Sequence, residues 1–330
     1  MKIAVFGAGA TGGHFAVLLA QSGVDVSVVV RGATLQAVRS SGLTLRTDSG
    51  DIRADVKASD DSRDLGVQDL VLVTLKSHAL SPAADGLAHL LGPDTPVLFL
   101  QNGIPWWYPH GLSGAQGSRP LPALDPAGAL WQRVGPQRVI GGVTSSACTV
   151  LAPGVIEVKG GNRSLMLGEP DGRDTNRLRD AAQALQRAGF PVETTGAIRN
   201  AIWSKLALNL GSGPMGVLAP VPLKDLFAEQ VLVDARLRIQ AEVLAIARAM
   251  GCDFEIDFAA QMAFAKRSTH LPSIAQDAAA GRPIEIESMF LAPLRMARER
   301  GVPTPTLDLL VTLAALKFKA SMSPSDLNAQ

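Results

Sequence analysis

The feature that most limits what this chain can fold into lies at its start. A short apolar strand, Ile3 to Phe6, runs into Gly7-Ala8-Gly9-Ala10-Thr11-Gly12-Gly13 and then into a helical pattern that ends near Gly23. The turn is tight enough to need Gly7, backbone at Gly9 can approach a ligand closely, and Gly12 lets the helix lie near the strand. A helix starting there offers N–H groups and a positive dipole end to an anion. Strand, glycine turn and helix in this order form a pyrophosphate cradle. The spacing therefore predicts a dinucleotide-binding domain of Rossmann type, with phosphate contacts from Gly7, Ala8, Gly9, Ala10, Thr11 and Gly12.

The next strand, Asp25 to Val30, ends at Arg31-Gly32, where no acid stands. An acid at that place would hydrogen-bond the ribose 2′-OH of NAD, whereas a guanidinium suits a 2′-phosphate. NADP(H) is therefore expected over NAD(H), with Arg31 on the phosphate. Asp69 to Leu75 reads as a parallel strand buried on both faces and delivers Lys76 to a carboxyl edge, where open α/β sheets bind ligands. Pro96 to Leu100 delivers Gln101-Asn102-Gly103 to the same edge. Position alone leaves Lys76 equally a surface lysine, and leaves Asn102-Gly103 a plain turn.

The rest of the first half reads as a helix at Thr34 to Ser41, strands at Leu43 to Arg46 and Ile52 to Val56, and a long ordered loop with a short helix from Ile104 to Gly135. Four more strands are expected at Arg138 to Val143, Ala147 to Leu151, Val155 to Lys159 and Ser164 to Leu167, separated at Gly141-Gly142, Pro153-Gly154 and Gly160-Gly161. A helix near Asp174 to Ala188 and a strand at Pro191 to Thr194 close this domain. From Ala197 on the pattern is helical throughout, so the expected domains are residues 1–196 and 197–330. One long helix, about Pro222 to Met250, is read as the bundle's centre from Leu226, Val231, Val233, Leu237, Ile239, Val243, Leu244 and Ile246, and Pro293 should kink a helix running from Glu285 to Arg300.

Composition narrows the function. At 330 residues and 47% hydrophobic the chain has material for two cores, and a net charge of +1 asks for neither nucleic acid nor an anionic membrane. No apolar run approaches the roughly 18 residues of a membrane span, and the chain enters its nucleotide strand directly, so a soluble cytoplasmic protein is expected. The two cysteines, Cys148 and Cys252, have no C-x-x-C spacing, and the five histidines are not grouped as metal ligands. Apolar helical faces are compatible with a homodimer.

Two features of the helical half could act on a nicotinamide. Lys205 and Asn209 stand at i and i+4, on one helix face: an ammonium can give a proton to a carbonyl oxygen as hydride reaches carbon, and an amide can hold a neighbouring oxygen. Read alone, such a pair is more often a solvated face. Ser273 and Glu285 each begin a helix and read alone as caps.

Taken together, the Gly7-to-Gly12 turn, Arg31, Thr74-Leu75-Lys76, Gln101-Asn102-Gly103, Gly141-Gly142, Trp203-Ser204-Lys205 with Asn209, and Ser273 with Glu285 resemble the ketopantoate reductase (2-dehydropantoate 2-reductase) family along essentially the whole chain. The resemblance implies NADPH-dependent reduction of the ketone of 2-dehydropantoate to (R)-pantoate, a step of pantothenate and hence coenzyme A synthesis, with two domains closing over cofactor and 2-oxo acid. It implies Lys205 as general acid, with Asn209 and Ser273 on the substrate's hydroxyl and carboxylate. Asn102 would touch substrate and nicotinamide ribose, Glu285 would meet cofactor or substrate and orient Lys205, and Lys76 would lie along the cofactor. Gly213 departs from the pattern, standing where the family continues to a second asparagine. With the aromatic Trp106-Trp107-Tyr108 loop near Asn102, this points to a reshaped pocket and makes an NADPH-dependent reductase of another 2-oxo acid the first alternative. A non-catalytic NADP(H)-binding regulator is the other.

Overall fold

Valine- and leucine-rich runs bounded by glycine turns become the strands β1 (Lys2–Phe6), β2 (Asp25–Val29), β3 (Leu43–Thr47), β4 (Gly50–Ala54), β5 (Lys57–Ser59), β6 (Leu70–Val73), β7 (Val97–Phe99), β8 (Val139–Ala152), β9 (Val155–Gly168) and β10 (Val192–Thr194) of a computed structural model. The structure describes residues 1–113, 117 and 119–321. All ten strands join one sheet in the order β4-β3-β9-β8-β7-β6-β1-β2-β5, with β10 on β9. From β5 to β8 every pairing is parallel, so the carboxyl ends of β2, β1, β6 and β7 share one edge. Between β1 and β6 the chain's order reverses, which is where open α/β sheets leave a ligand crevice.

Burial explains the strand composition. Ile3, Val5, Leu70, Leu72, Leu98 and Ile140 are buried with Phe15, Ala16, Leu19, Leu178, Ala181 and Leu185, which come from the helices Ala10–Gln21 and Asn176–Arg187. Each of the larger of these side chains contributes about 1.5–3 kcal/mol when fully covered. The chain divides into two compact units: Met1–Gln101 with Pro105–Ile198, and Asn102–Ile104 with the chain from Arg199 on. The first is a Rossmann-type α/β unit, and in the second every element among the described residues from Arg199 on is a helix. No helix among the described residues is long and apolar enough to cross a membrane.

Several sequence expectations need correction. Four separate strands between Arg138 and Leu167 are instead two long ones, β8 and β9, paired antiparallel with bulges near Ser145/Ala147 and Val150/Ala152. Gly141 and Gly142 are not breaks but close-packing positions inside β8. A Cβ on Gly141 would lie 2.7 Å from the Trp107 ring, and one on Gly142 would lie 2.5 Å from a Leu100 methyl. The aromatic loop is core rather than pocket: Trp106, Trp107 and Tyr108 are each 1% exposed, and Trp106 meets Phe99 edge-on. Cys148 Sγ lies 3.3 Å from His14 Nδ1, and burial pushes its thiol pKa up to about 12.

The long helix read from Pro222 is two, Leu223–Leu226 and Gln230–Ala249, broken where Glu229 turns extended. Its buried stripe is Val233, Arg236, Ile239, Gln240, Val243, Ile246 and Ala247, while Val231 and Leu237 face out. Upstream of Pro293 the chain widens into a π turn, Glu287–Leu291, before the α-helix Ala292–Glu299. Proline has no N–H to give and its ring crowds the preceding turn, and the wider turn accommodates both.

At the end of β9 the buried Glu169 accepts from Arg177 Nε at 2.8 Å, Arg177 Nη2 at 2.6 Å and Thr175 Oγ1 at 2.5 Å. The carboxylate beside it raises the Arg177 pKa. Glu169→Gln is expected to cost about 2–3 kcal/mol, at or just below the lower end of the range for a fully buried pair, because part of Arg177 stays open to water. Thermal melts of Glu169→Gln, Arg177→Met and the double variant check this, and the double loss should be smaller than the sum of the single ones.

Candidate functional site

At the carboxyl edge of the parallel strands the glycine turn has the geometry its sequence demands. Gly7 adopts φ +93°, and its N–H donates to Val29 O at 2.9 Å, tying the turn to β2. Thr74, just past β6, donates from its backbone N–H to Phe6 O at 3.1 Å and from Oγ1 to Gly7 O at 2.5 Å. Gly12 is enclosed: a Cβ there would lie 1.8 Å from Gly7 O and 2.3 Å from Thr74 Oγ1. Gly9 is the opposite, with no protein atom within 4 Å of where its Cβ would be. Gly9 begins the 12-residue helix Ala10–Gln21, which has no side-chain cap and no acid in its first turn. Ala8, Ala10 and Thr11 complete this turn.

Arg31 leaves the end of β2 in extended conformation and is exposed, and Lys76 leaves β6 just ahead of the short 3₁₀ turn Ser77–Ala79. Past β7, the Gln101 Nε2 donates to Val73 O at 2.9 Å and Leu75 O at 3.3 Å, while its buried Oε1 has no partner. The donor set, the room at Gly9 and this orphaned acceptor fit a phosphate-bearing dinucleotide with hydroxyl or amide donors of its own. Gln101 was within the sequence motif but carried no assigned role. Its signal was an amide immediately past a buried strand.

Asn102, Gly103 and Ile104 belong to the helical unit. Gly103 adopts φ +79°, Ile104 N donates to Ser288 O at 2.8 Å, and a Cβ on Gly103 would meet that same carbonyl at 2.5 Å. Asn102 is thereby held one residue from the segment that begins at Glu285. Glu285 lies just ahead of the π turn, its carbonyl accepting from Met289 N at 3.0 Å.

Lys205 is on the helix Ile198–Leu210 with Trp203, Leu206 and Leu210 in the core. The residue keeps some surface, yet burial governs its ammonium: desolvation lowers the pKa to about 8, and the Glu285 carboxylate pulls in the opposite direction. One turn on, Asn209 lines a cavity of about 150 Å³ with Ser273, Ser212, Gly213, Arg236 and Met289 among its walls. The structure thus brings Asn209 and Ser273 to one cavity and Lys205 and Glu285 into electrostatic contact.

The second-asparagine position does not continue the helix face of Asn209. The helix stops at Leu210, Ser212 turns away, and Gly213 opens the separate short helix Gly213–Leu218. A Cβ at 213 would lie 3.3 Å from the Phe290 ring and 3.4 Å from Ile274, so a side chain could enter only if Phe290 yielded. Arg236 was not singled out from sequence. Its signal was a charge in phase with Val233, Ile239 and Val243 on the buried stripe.

A model of the family described as Ketopantoate reductase PanE/ApbA matches residues 3–172, and the model of its C-terminal part matches residues 197–318. A 2-dehydropantoate 2-reductase from Mesorhizobium japonicum is 40% identical over 315 residues, 95% of this chain and 96% of its own. Among solved structures, a Ralstonia solanacearum MolK2 protein described as a ketopantoate reductase is 35% identical with a TM-score of 0.90, covering 97% of this chain and 98% of the other. The 2-dehydropantoate 2-reductase of Geobacter metallireducens GS-15 is 30% identical with a TM-score of 0.84, covering 96% and 99%.

Proposed function

We propose that this chain, which belongs to the ketopantoate reductase family, reduces the ketone of 2-dehydropantoate to (R)-pantoate with NADPH, a step toward pantothenate and coenzyme A. The observation that carries the reading is Lys205, whose pKa of about 8 under burial, beside the Glu285 carboxylate, suits a proton donor at neutral pH. NADPH, when bound, supplies the hydride to the carbonyl carbon. Lys205 holds the proton that goes to the ketone oxygen as the C=O electron pair moves onto it, and the amine left behind regains a proton from water. Glu285 keeps Lys205 protonated and oriented. Asn209 and Ser273 hold the substrate's hydroxyl and carboxylate, and Asn102 sits against substrate and nicotinamide ribose.

In the same reading, Gly7, Ala8, Gly9, Ala10, Thr11 and Gly12 cradle the pyrophosphate, Arg31 takes the 2′-phosphate, and Lys76 lies along the cofactor. Arg31→Ala is expected to weaken NADPH by about tenfold or more while NADH changes little, since a lost charge-assisted hydrogen bond costs about 1.5–3 kcal/mol. Titrating both nucleotides against the variant checks this, and equal losses for the two would remove Arg31 from phosphate recognition.

Initial rates of NADPH oxidation with 2-dehydropantoate beside a panel of other 2-oxo acids test the activity. Turnover confined to 2-dehydropantoate supports the reading. The second reading, a reductase of a different 2-oxo acid, is favoured by Gly213 and the Phe290 ring packed against it. Turnover of another acid alone would select it.

The reading places the enzyme in the cytoplasm, without a nucleic-acid partner, as a homodimer. The support for pairing is the exposed row Leu309, Leu313 and Leu316, spaced i, i+4 and i+7 on the helix Pro305–Ser321, and light scattering in solution tests it.

A further inference from the structure

We propose that Arg236 holds a carboxylate of the substrate inside the cavity of the helical unit, and so decides which 2-oxo acids the enzyme accepts; the inference rests on the reading of the chain as a 2-oxo acid reductase. Arg236 is 2% exposed on the helix Gln230–Ala249 and lines the cavity shared by Asn209, Ser212 and Ser273. Among the described residues no carboxylate or carbonyl meets it. Its Nε is buried without a hydrogen-bond partner, and the Phe227 ring lies 4.9 Å from the guanidinium carbon. Burial brings its pKa down to about 10, which leaves it charged at neutral pH.

A guanidinium withdrawn from water without a counter-ion is costly, and fully buried arginines are ordinarily paired. The chain nonetheless makes room for this one. A Cβ on Gly211 would lie 3.3 Å from Arg236 Cγ and 3.2 Å from Gln240 Cγ, so the glycine there leaves the channel through which the side chain runs. The cavity it enters is small, and its lining mixes polar Asn209, Ser212, His270 and Ser273 with apolar residues that include Ile274 and Met289. That is the lining for a compact organic acid: apolar walls for its carbon body, and a planar fork of donors for its carboxylate.

Asn209 also ties the cavity to the proton donor, standing one helical turn from Lys205 on the same face. In this proposal the acid on Arg236 extends past Asn209 toward the ammonium, since Arg236 and Asn209 line the cavity and Lys205 stands one turn from Asn209. The carboxylate can be the 2-oxo acid's own or a second one at its far end. Where the family resemblance leads to expect an amide at residue 213, this chain has bare backbone and a cation on the neighbouring helix, which exchanges a neutral donor for a charged one.

The test compares the wild type with Arg236→Gln and Arg236→Lys, using three substrates: 2-dehydropantoate, its lactone, which has no carboxylate, and 2-oxoglutarate, which has two. NADPH affinity is measured by fluorescence, and (R)-pantoate and 2-hydroxyglutarate affinities by calorimetry in the presence of NADP⁺. The expected result for Arg236→Gln is a KM raised about 10- to 100-fold for the acid whose carboxylate it meets, as for truncating one partner of a buried charge pair. Lactone turnover and NADPH affinity should stay within about twofold, with Arg236→Lys in between because it keeps the charge and loses the fork. Loss on 2-dehydropantoate assigns the acid's own carboxylate, and loss on 2-oxoglutarate alone assigns the far one. Equal losses for lactone and acids, or no loss for either acid, overturn the proposal. Should the wild type reduce none of the three, the functional reading fails by itself. Binding of either hydroxy acid that Arg236→Gln abolishes would still support the anion site, and wild-type binding that the variant retains, or no binding to the wild type, would overturn it. If the glutamine variant does not fold, Arg236→Lys carries the same comparisons.

Discussion

Lys205→Ala is expected to lower kcat by about 10²- to 10⁴-fold while the affinity for NADPH stays close to that of the wild type. Expressed as a barrier, this is about 3–5 kcal/mol, the ordinary contribution of a positioned proton donor. The size follows from where the charge goes. Hydride arriving at the carbonyl carbon drives an electron pair onto oxygen, and in a site shielded from water the nearby ammonium is the group that can neutralise it. Burial has already lowered the Lys205 pKa to about 8, so the proton is held loosely enough to leave, yet is still present at pH 7. The sign of the pH dependence follows. Reduction needs the protonated form, so kcat should be level below about pH 8 and fall as pH rises through it. Glu285 raises that pKa, so Glu285→Gln should move the falling limb to lower pH and depress activity at neutral pH. A pH–rate profile of both enzymes reads this directly. A Lys205→Ala enzyme of nearly wild-type kcat, or a Glu285→Gln limb displaced upward, would remove the proton-donor role.

What could be read from sequence was set by whether the determining contact is near in the chain. The strand, turn and helix from Lys2 to Gln21 are a local device, and each glycine has a local steric reason, so the α/β class and the geometry of its glycine turn were legible. Lys205 with Asn209 was legible as a shared helix face, but not as a buried, loosened ammonium, because the packing that lowers its pKa and the Glu285 carboxylate that opposes this both come from parts of the chain far from it in sequence. Gly141-Gly142 read as a break because the reason for those glycines, the Trp107 ring and the Leu100 methyl, lies on other elements. The same distance hid the aromatic loop: three consecutive large rings near a ligand-edge motif look like a pocket wall, and they are core because β7 presents Phe99 to Trp106 and β8 presents the bare Gly141 to Trp107. Arg236 shows a different limit. The helix was read from its apolar residues alone, and a charged residue in phase with Val233, Ile239 and Val243 falls outside such a reading.

Gly12→Ala and Gly9→Ala, three residues apart in one turn, are expected to fail for different reasons. At residue 12 the added methyl would stand 1.8 Å from the Gly7 carbonyl oxygen and 2.3 Å from Thr74 Oγ1, far inside contact distance. The first obstacle is backbone, and it is fixed by the Gly7 N–H bond to Val29 O and the Thr74 N–H bond to Phe6 O, so nothing flexible can move aside. The helix must shift away from β1, which opens the packing of Phe15, Ala16 and Leu19 on the sheet. Overpacking of this kind costs about 1–3 kcal/mol, and more where backbone rather than a side chain obstructs, so a clear drop in melting temperature should accompany loss of NADPH binding. At residue 9 the methyl meets no protein atom within 4 Å, and φ is −74°, which alanine accepts. The fold has no reason to object, and Gly9→Ala should melt within about a degree or two of the wild type, consistent with the small effects of surface changes. What the methyl does occupy is the approach to the start of the helix Ala10–Gln21, where a pyrophosphate needs bare backbone. NADPH affinity should therefore fall about tenfold or more in Gly9→Ala without any loss of stability. Melting curves and NADPH titrations of the two variants separate the cases. A Gly9→Ala protein that is folded and binds NADPH as tightly as the wild type would mean that the dinucleotide does not lie against this turn.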